Sequence, residues 1–140
     1  MTTAVTMLAA QKQAENLKAL RARLLEQGVQ ALFVPRADEF LGEYIPAHNE
    51  RLRWLTSFTG SAGMAVVLPD KAAIFIDGRY TVQVRRQVDA SLYQYRHLIE
   101  EPPLQWLVAQ LSPGAKVLVD PRMCTLRWYE NAQRVLAEAG

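Results

Sequence analysis

A chain of 140 residues, half of them hydrophobic and about a fifth charged, has the composition of one folded domain and not of a disordered segment. Sixteen Lys and Arg against 14 Asp and Glu leave a net charge of +2, too small to argue for nucleic acid by itself. One cysteine, Cys124, excludes an internal disulfide and a cysteine-built zinc site, and no run of about 20 apolar residues exists to span a membrane.

Taken in chain order, Ala14, Leu17, Leu20 and Leu24 recur at helical spacing, with Lys18, Arg21 and Arg23 between them. Gly28 stands where a left-handed helix cap belongs. Val29 to Val34 reads as a strand ended by Pro35, and the polar stretch Asp38 to Glu50 as loop. Arg51 to Phe58 fits a short helix or an irregular turn. Ala62 to Leu68 and Ala72 to Ile76 are two apolar runs joined at Pro69-Asp70-Lys71, the pattern of a hairpin. Asp77-Gly78 breaks the second run, after which Tyr80, Val84 and Val88 share one helical face. Leu92 to Leu98 reads as a strand. Pro102-Pro103 opens a helix carrying Leu104, Leu107, Val108 and Leu111, which Pro113-Gly114 stops. Lys116 to Val119 is a strand and Leu126 to Ala139 a helix. About five strands and four helices result, and the hairpin together with strand–helix–strand steps predicts a mixed sheet with helices on its faces. The final helix meets Gly140 as the first meets Gly28, so a further strand or linker is expected after it.

No strong catalytic constellation is present. The histidines are two, His48 and His97, and no HExxH occurs. Asp38, Glu39, Glu43 and Glu50 read as a solvated loop. Thr59-Gly60-Ser61-Ala62-Gly63 lacks the glycine spacing and strand-to-helix turn of a nucleophile elbow, and it lacks the Gly-Lys-Ser/Thr of a phosphate loop. A tight turn, in which glycine supplies positive φ or lets another backbone approach, is the preferred reading. Arg79, Arg85, Arg86 and Arg96 read as an exposed helix face and strand edge and not as a nucleic-acid patch. Asp77 is a candidate N-cap, and Arg79 is a candidate to pair with a carboxylate. Cys124 has no histidine neighbour to activate it. Trp54, Trp106 and Trp128 are expected in the core or in a subunit contact.

The segments Gly42-Glu-Tyr-Ile-Pro46, Asn49 through Gly63, Ile76-Asp-Gly-Arg-Tyr80 and Val119-Asp-Pro121 resemble, in order and spacing, the N-terminal domain of aminopeptidase P, most closely its long, three-domain form. The resemblance runs from about Asn16 to Gly140. The wider creatinase/prolidase family shares this domain. It implies an α/β fold with a mixed five- or six-stranded sheet flanked by helices. It also implies a parent enzyme that removes the N-terminal residue of peptides with proline second, using two divalent metals, usually manganese, held by two Asp, one His and two Glu of a separate C-terminal domain. Those metal motifs are not in this sequence, so residues 1–140 are expected to form one non-catalytic domain that binds no metal. Its expected partners are its own catalytic domain, a second subunit in a homodimer and Xaa-Pro peptides, without nucleic acid or membrane. The location is expected to be cytoplasmic, since Met1 to Gln11 shows neither a positive n-region nor a cleavage site.

Glu43, Tyr44, Arg51, Phe58, Gly60, Ser61, Gly63, Asp77, Gly78, Arg79 and Tyr80 fall on the family's pattern. Tyr44, Arg51 and Phe58 are the candidates to face the catalytic domain and the substrate route. Gly60, Ser61, Gly63, Asp77, Gly78, Arg79 and Tyr80 form the structural motif. The alternatives are a stand-alone binding or regulatory module of the same fold, the same domain of a prolidase- or creatinase-type hydrolase, and a basic domain that binds RNA.

Overall fold

The structure is a computed structural model that describes residues 4–35, 51–60, 62–119 and 126–139. Tyr44 and Ser61 of the candidate residues lie outside these, as do Glu43, His48, Cys124 and the acidic positions of 38–50.

Helix α1 (Ala4–Glu26) turns one stripe, Gln13, Leu17, Leu20 and Leu24, toward the sheet. It ends in a Schellman cap: the Val29 N–H donates to Leu24 O at 2.9 Å and the Gly28 N–H to Leu25 O at 3.1 Å, with Gly28 at φ 67°. Strand β1 (Ala31–Pro35) therefore starts two residues later than the apolar run suggests, because the amide of Val29 belongs to the cap. Helix α2 (Arg51–Thr56) settles the ambiguity of its segment in favour of a helix and brings the helices among the described residues to five. Strands β2 (Gly63–Val67) and β3 (Ala72–Ile76) form the hairpin, closed where the Leu68 N–H donates to Lys71 O at 2.8 Å.

A 3-10 turn (Gly78–Tyr80) leads into α3 (Thr81–Gln87). Strand β4 (Gln94–His97) begins later than Leu92, because the Asp89 carbonyl takes the N–H groups of Leu92 and Tyr93, both at 3.1 Å, in a turn. Helix α4 (Pro103–Gln110) buries Leu104 and Leu107. Strand β5 (Val117–Leu118) is only two residues long, shorter than its sequence suggests. Helix α5 (Leu126–Ala139) follows.

The sheet has five strands in the order β4-β3-β2-β1-β5. β1–β2 and β2–β3 are antiparallel, while β3–β4 and β1–β5 are parallel, so the sheet is mixed. All five residues of β3 are buried, because helices cover both faces of this inner strand and alternation is lost. Val34, Ala65, Val67, Ala72, Ile74 and Ile76 meet α1, α2 and α3 on one face. Ala31, Phe33, Val66, Leu68, Ala73 and Phe75 meet α4 and α5 on the other. The architecture is thus three layers, helix–sheet–helix. Trp106 and Trp128 join the second face, edge-on to Phe75 and Phe33 at 5.6 and 5.3 Å between ring centres. Trp54 departs from a core assignment: it is 53% exposed.

Candidate functional site

The site is built around the exit of α2. The Thr56 hydroxyl donates back to Leu52 O at 2.7 Å and accepts the N–H of Phe58 at 3.2 Å, so the helix stops and the chain reverses. The reversal places Ser57 at φ 66°, in the left-handed region, and drives the Phe58 ring into the core. Gly60 does not supply positive φ here, contrary to the tight-turn expectation, and what approaches it is a ring and not a backbone. A Cβ at Gly60 would stand 2.8 Å from Phe58 Cε2 and 3.0 Å from Tyr80 Cδ1. Gly63 is pressed by the same ring, with Phe58 Cε2 3.1 Å from a would-be Cβ. Phe58 meets Tyr80 edge-to-face, 5.7 Å between centres at 89°.

Tyr80 is delivered by the 3-10 turn, and Asp77 fixes that turn. Its Oδ1 accepts the Arg79 backbone N–H at 2.9 Å and the Arg79 Nε at 3.1 Å. Asp77 thus caps the 3-10 turn and pairs with Arg79, while α3 itself has Tyr80 as N-cap without a side-chain bond. The Arg79 backbone N–H, then its guanidinium, hold the Asp77 carboxyl below its ordinary pKa. The Arg79 guanidinium lies 5.3 Å from the Tyr80 ring centre. Gly78 lies against His97, whose Nε2 would be 3.4 Å from a Cβ there. The Nδ1 of His97 accepts the N–H groups of Ile99 and Glu100, each at 3.3 Å.

The structure therefore brings Phe58, Gly60, Gly63 and Tyr80 into one cluster, with Asp77, Gly78 and Arg79 behind it. Arg51 is not in the cluster. It opens α2, a helix of about 9 Å, and lines a cavity of about 430 Å³ with Leu20, Val34, Trp54 and Leu118. Arg85 and Arg86 are exposed, and Arg96 pairs with Glu101 at 3.2 Å.

A set of amides not singled out in the sequence fastens the loop after α2. The Thr59 N–H donates to Gln87 Oε1 at 2.9 Å, and the Thr59 hydroxyl accepts Gln83 Nε2 at 3.0 Å and Gln87 Nε2 at 2.7 Å. Buried Gln13 of α1 then donates to Gln87 O at 2.7 Å and accepts the Asp89 N–H at 2.9 Å. The signal was present: Gln13 is a polar residue on an apolar stripe, and Gln83 and Gln87 lie one turn apart beside Val84 and Val88.

Among the described residues no group of three or more His, Cys, Asp or Glu side chains is placed to hold a metal ion. None of the described helices is long and apolar enough to cross a membrane.

Compared with known proteins, residues 16–139 match the profile of the Creatinase/Prolidase N-terminal domain. The chain belongs to the creatinase/prolidase N-terminal domain family. Human Xaa-Pro aminopeptidase 2 is 37% identical over 116 residues, which are 83% of this chain and 17% of that protein. The crystal structure of X-prolyl aminopeptidase from Caenorhabditis elegans, described as a cytosolic enzyme with a di-nuclear active site, matches with a TM-score of 0.82 and 26% identity over 91% of this chain and 23% of that one. The N-terminal creatinase/prolidase-like domain of a Corynebacterium diphtheriae metallopeptidase shares the fold, with a TM-score of 0.60 at 21% identity over 91% of this chain and 88% of that one. This creatinase/prolidase N-terminal domain thus spans less than a quarter of the human and nematode enzymes. The mixed five-stranded sheet with flanking helices is the architecture it shares with these neighbours.

Proposed function

We propose that residues 1–140 are a single, non-catalytic N-terminal domain of an Xaa-Pro aminopeptidase, and that the parent removes the residue preceding proline. The observation that carries this reading is the relation to the human and nematode aminopeptidases, which extends over 83% and 91% of this chain but only 17% and 23% of theirs. The bond before proline is a tertiary amide in a restricted backbone, poorly suited to ordinary peptidases, so a dedicated enzyme has a purpose. The two divalent metals, for which we propose manganese, would be held by the catalytic domain. This domain would wall the route by which peptides reach that centre and contribute to a homodimer, in the cytoplasm. Tyr44 and Arg51 are the proposed residues on the route or at the interdomain contact, and Phe58, buried in the core of this domain, would shape that surface from beneath. Arg51 is supported by its place in the lining of the cavity with Trp54.

The test is steady-state kinetics of the full-length protein with manganese on an Xaa-Pro peptide. Arg51→Ala is expected to raise KM several-fold while leaving kcat within twofold, the signature of a contact that binds substrate and transition state equally. Unchanged kcat and KM would remove Arg51 from the route. Absence of any Xaa-Pro hydrolysis by the full-length protein would overturn the parent's assignment.

A further inference from the structure

His97 is the last residue of β4, and its ring serves two neighbours at once. The parallel register pairs it with Ile76, so it lies on the face of the sheet that carries α3. Its Nε2 is 3.4 Å from where a Cβ would stand on Gly78, at the start of the 3-10 turn. Its Nδ1 accepts the N–H groups of Ile99 and Glu100, each at 3.3 Å, in the turn that joins β4 to α4. Only one protonation state allows this. A nitrogen that accepts carries no proton, so the ring is neutral with its hydrogen on Nε2. A second proton goes to Nδ1 and makes it a donor aimed at two donors, so both bonds are lost together.

The charges around the ring can receive that proton. Asp77, before the 3-10 turn, is near enough for its charge and that of His97 to act on each other, and Glu100 and Glu101 stand in the turn itself. Of the cations, Arg79 and Arg96 are already paired, with Asp77 at 3.1 Å and with Glu101 at 3.2 Å. On the α3 side, Arg85 and Asp89, of opposite sign, both act on Tyr95, the preceding residue of β4 on this face. Helix α4 has no charged side chain. The remaining fastenings of the turn do not involve the imidazole: the Leu98 N–H donates to Ile76 O and the Glu101 N–H to His97 O, both at 2.9 Å. What a proton can free is therefore confined to Ile99, 74% exposed, and Glu100.

We propose that His97 is a proton-operated latch on the turn between β4 and α4. Neutral, it holds the amides of Ile99 and Glu100 closed over the end of the strand; protonated, in the range of about pH 5 to 8 where histidine ordinarily changes charge, it lets them go while the sheet and α4 stay in place. The inference does not depend on the peptidase reading.

The test is NMR of the nitrogen-15-labelled protein, titrated across that range. At the alkaline end the His97 ring should show a bare Nδ1 and a protonated Nε2. As acid is added, the amide signals of Ile99 and Glu100 should move with the ring. Their exchange protection, corrected for the pH dependence of free amides, should fall about tenfold, while that of Leu98 and Glu101 changes by less than about twofold. In His97→Asn the side-chain oxygen can replace Nδ1 and takes up no proton here, so both amides should keep their neutral-pH protection throughout. A proton on Nδ1 at the alkaline end, amides that do not follow the ring, or the same acid loss in His97→Asn overturns the proposal. Loss that spreads to β3 and α4 overturns it too, since the whole domain is then opening. Should His97→Asn fail to fold, the joint titration of ring and amides in the native chain decides alone.

Discussion

A methyl group at position 60 has no room. The Phe58 and Tyr80 rings that would meet it are packed edge-to-face, and Phe58 is buried, so neither can swing away cheaply. Gly60→Ala should cost about 1–3 kcal/mol by overpacking, read as a lower denaturation midpoint in urea. Phe58→Leu should recover part of that loss, since the two positions share one contact. Asp77 makes a different kind of prediction. Its folded pKa is depressed, so the stability it contributes is present above the ordinary carboxylate pKa of about 3.9 and is lost as pH falls through the lower folded value. The difference in Tm between the native chain and Asp77→Asn should therefore be measurable at pH 7 and shrink as acid takes the solution through the lowered folded value. A gap that is as wide in acid as at neutrality would show that the carboxylate charge is not what holds the turn.

Among the elements, α1 and α3 are tied by one buried side chain. Gln13→Leu keeps the volume but leaves Gln87 O and the Asp89 N–H without that partner. Its expected cost is about 1–3 kcal/mol, checked by urea denaturation against Leu25→Ala, which lies on the exposed side of the same helix and should change stability by less than about 0.5 kcal/mol. Leu17, Leu20 and Leu24 made α1 legible in the sequence, and Gly28 marked its end. The six residues of α2 are too few for a period to declare itself, which left its segment open between helix and turn. Phe58 and Tyr80 stand on the family pattern, yet their ring contact links residues 22 apart across two elements, and no local rule reports such a pair. The fastening of Thr59 by Gln83 and Gln87 was hidden for the same reason.

Across the whole molecule, β3 is the axis on which both helical layers bear. Ile74 is fully buried against the first layer, so Ile74→Ala should cost about 2–5 kcal/mol, again read from the urea midpoint. The hairpin, the strand–helix–strand steps and hence a mixed sheet could be read from local runs and turns. The strand order could not. β1 finds β5 only after the chain has crossed the sheet, with the Gln30 N–H donating to Lys116 O at 2.8 Å, and a contact so distant in sequence leaves no periodic trace in either segment. β5 is shorter than its apolar run suggests, because apolar residues facing a cavity and apolar residues in a ladder look alike in a sequence.

The fastening of the loop after α2 contains no ion. Hydroxyl, amide and peptide groups make every bond from Gln13 through Gln87 and Gln83 to Thr59. Dissolved salt has no charge there to screen, and no proton in the neutral range has a place to go. The attachment of Thr59 is therefore indifferent to the ionic medium: dilute buffer and strong brine should find it in the same place, while the Asp77–Arg79 pair behind Tyr80 loosens as salt is added.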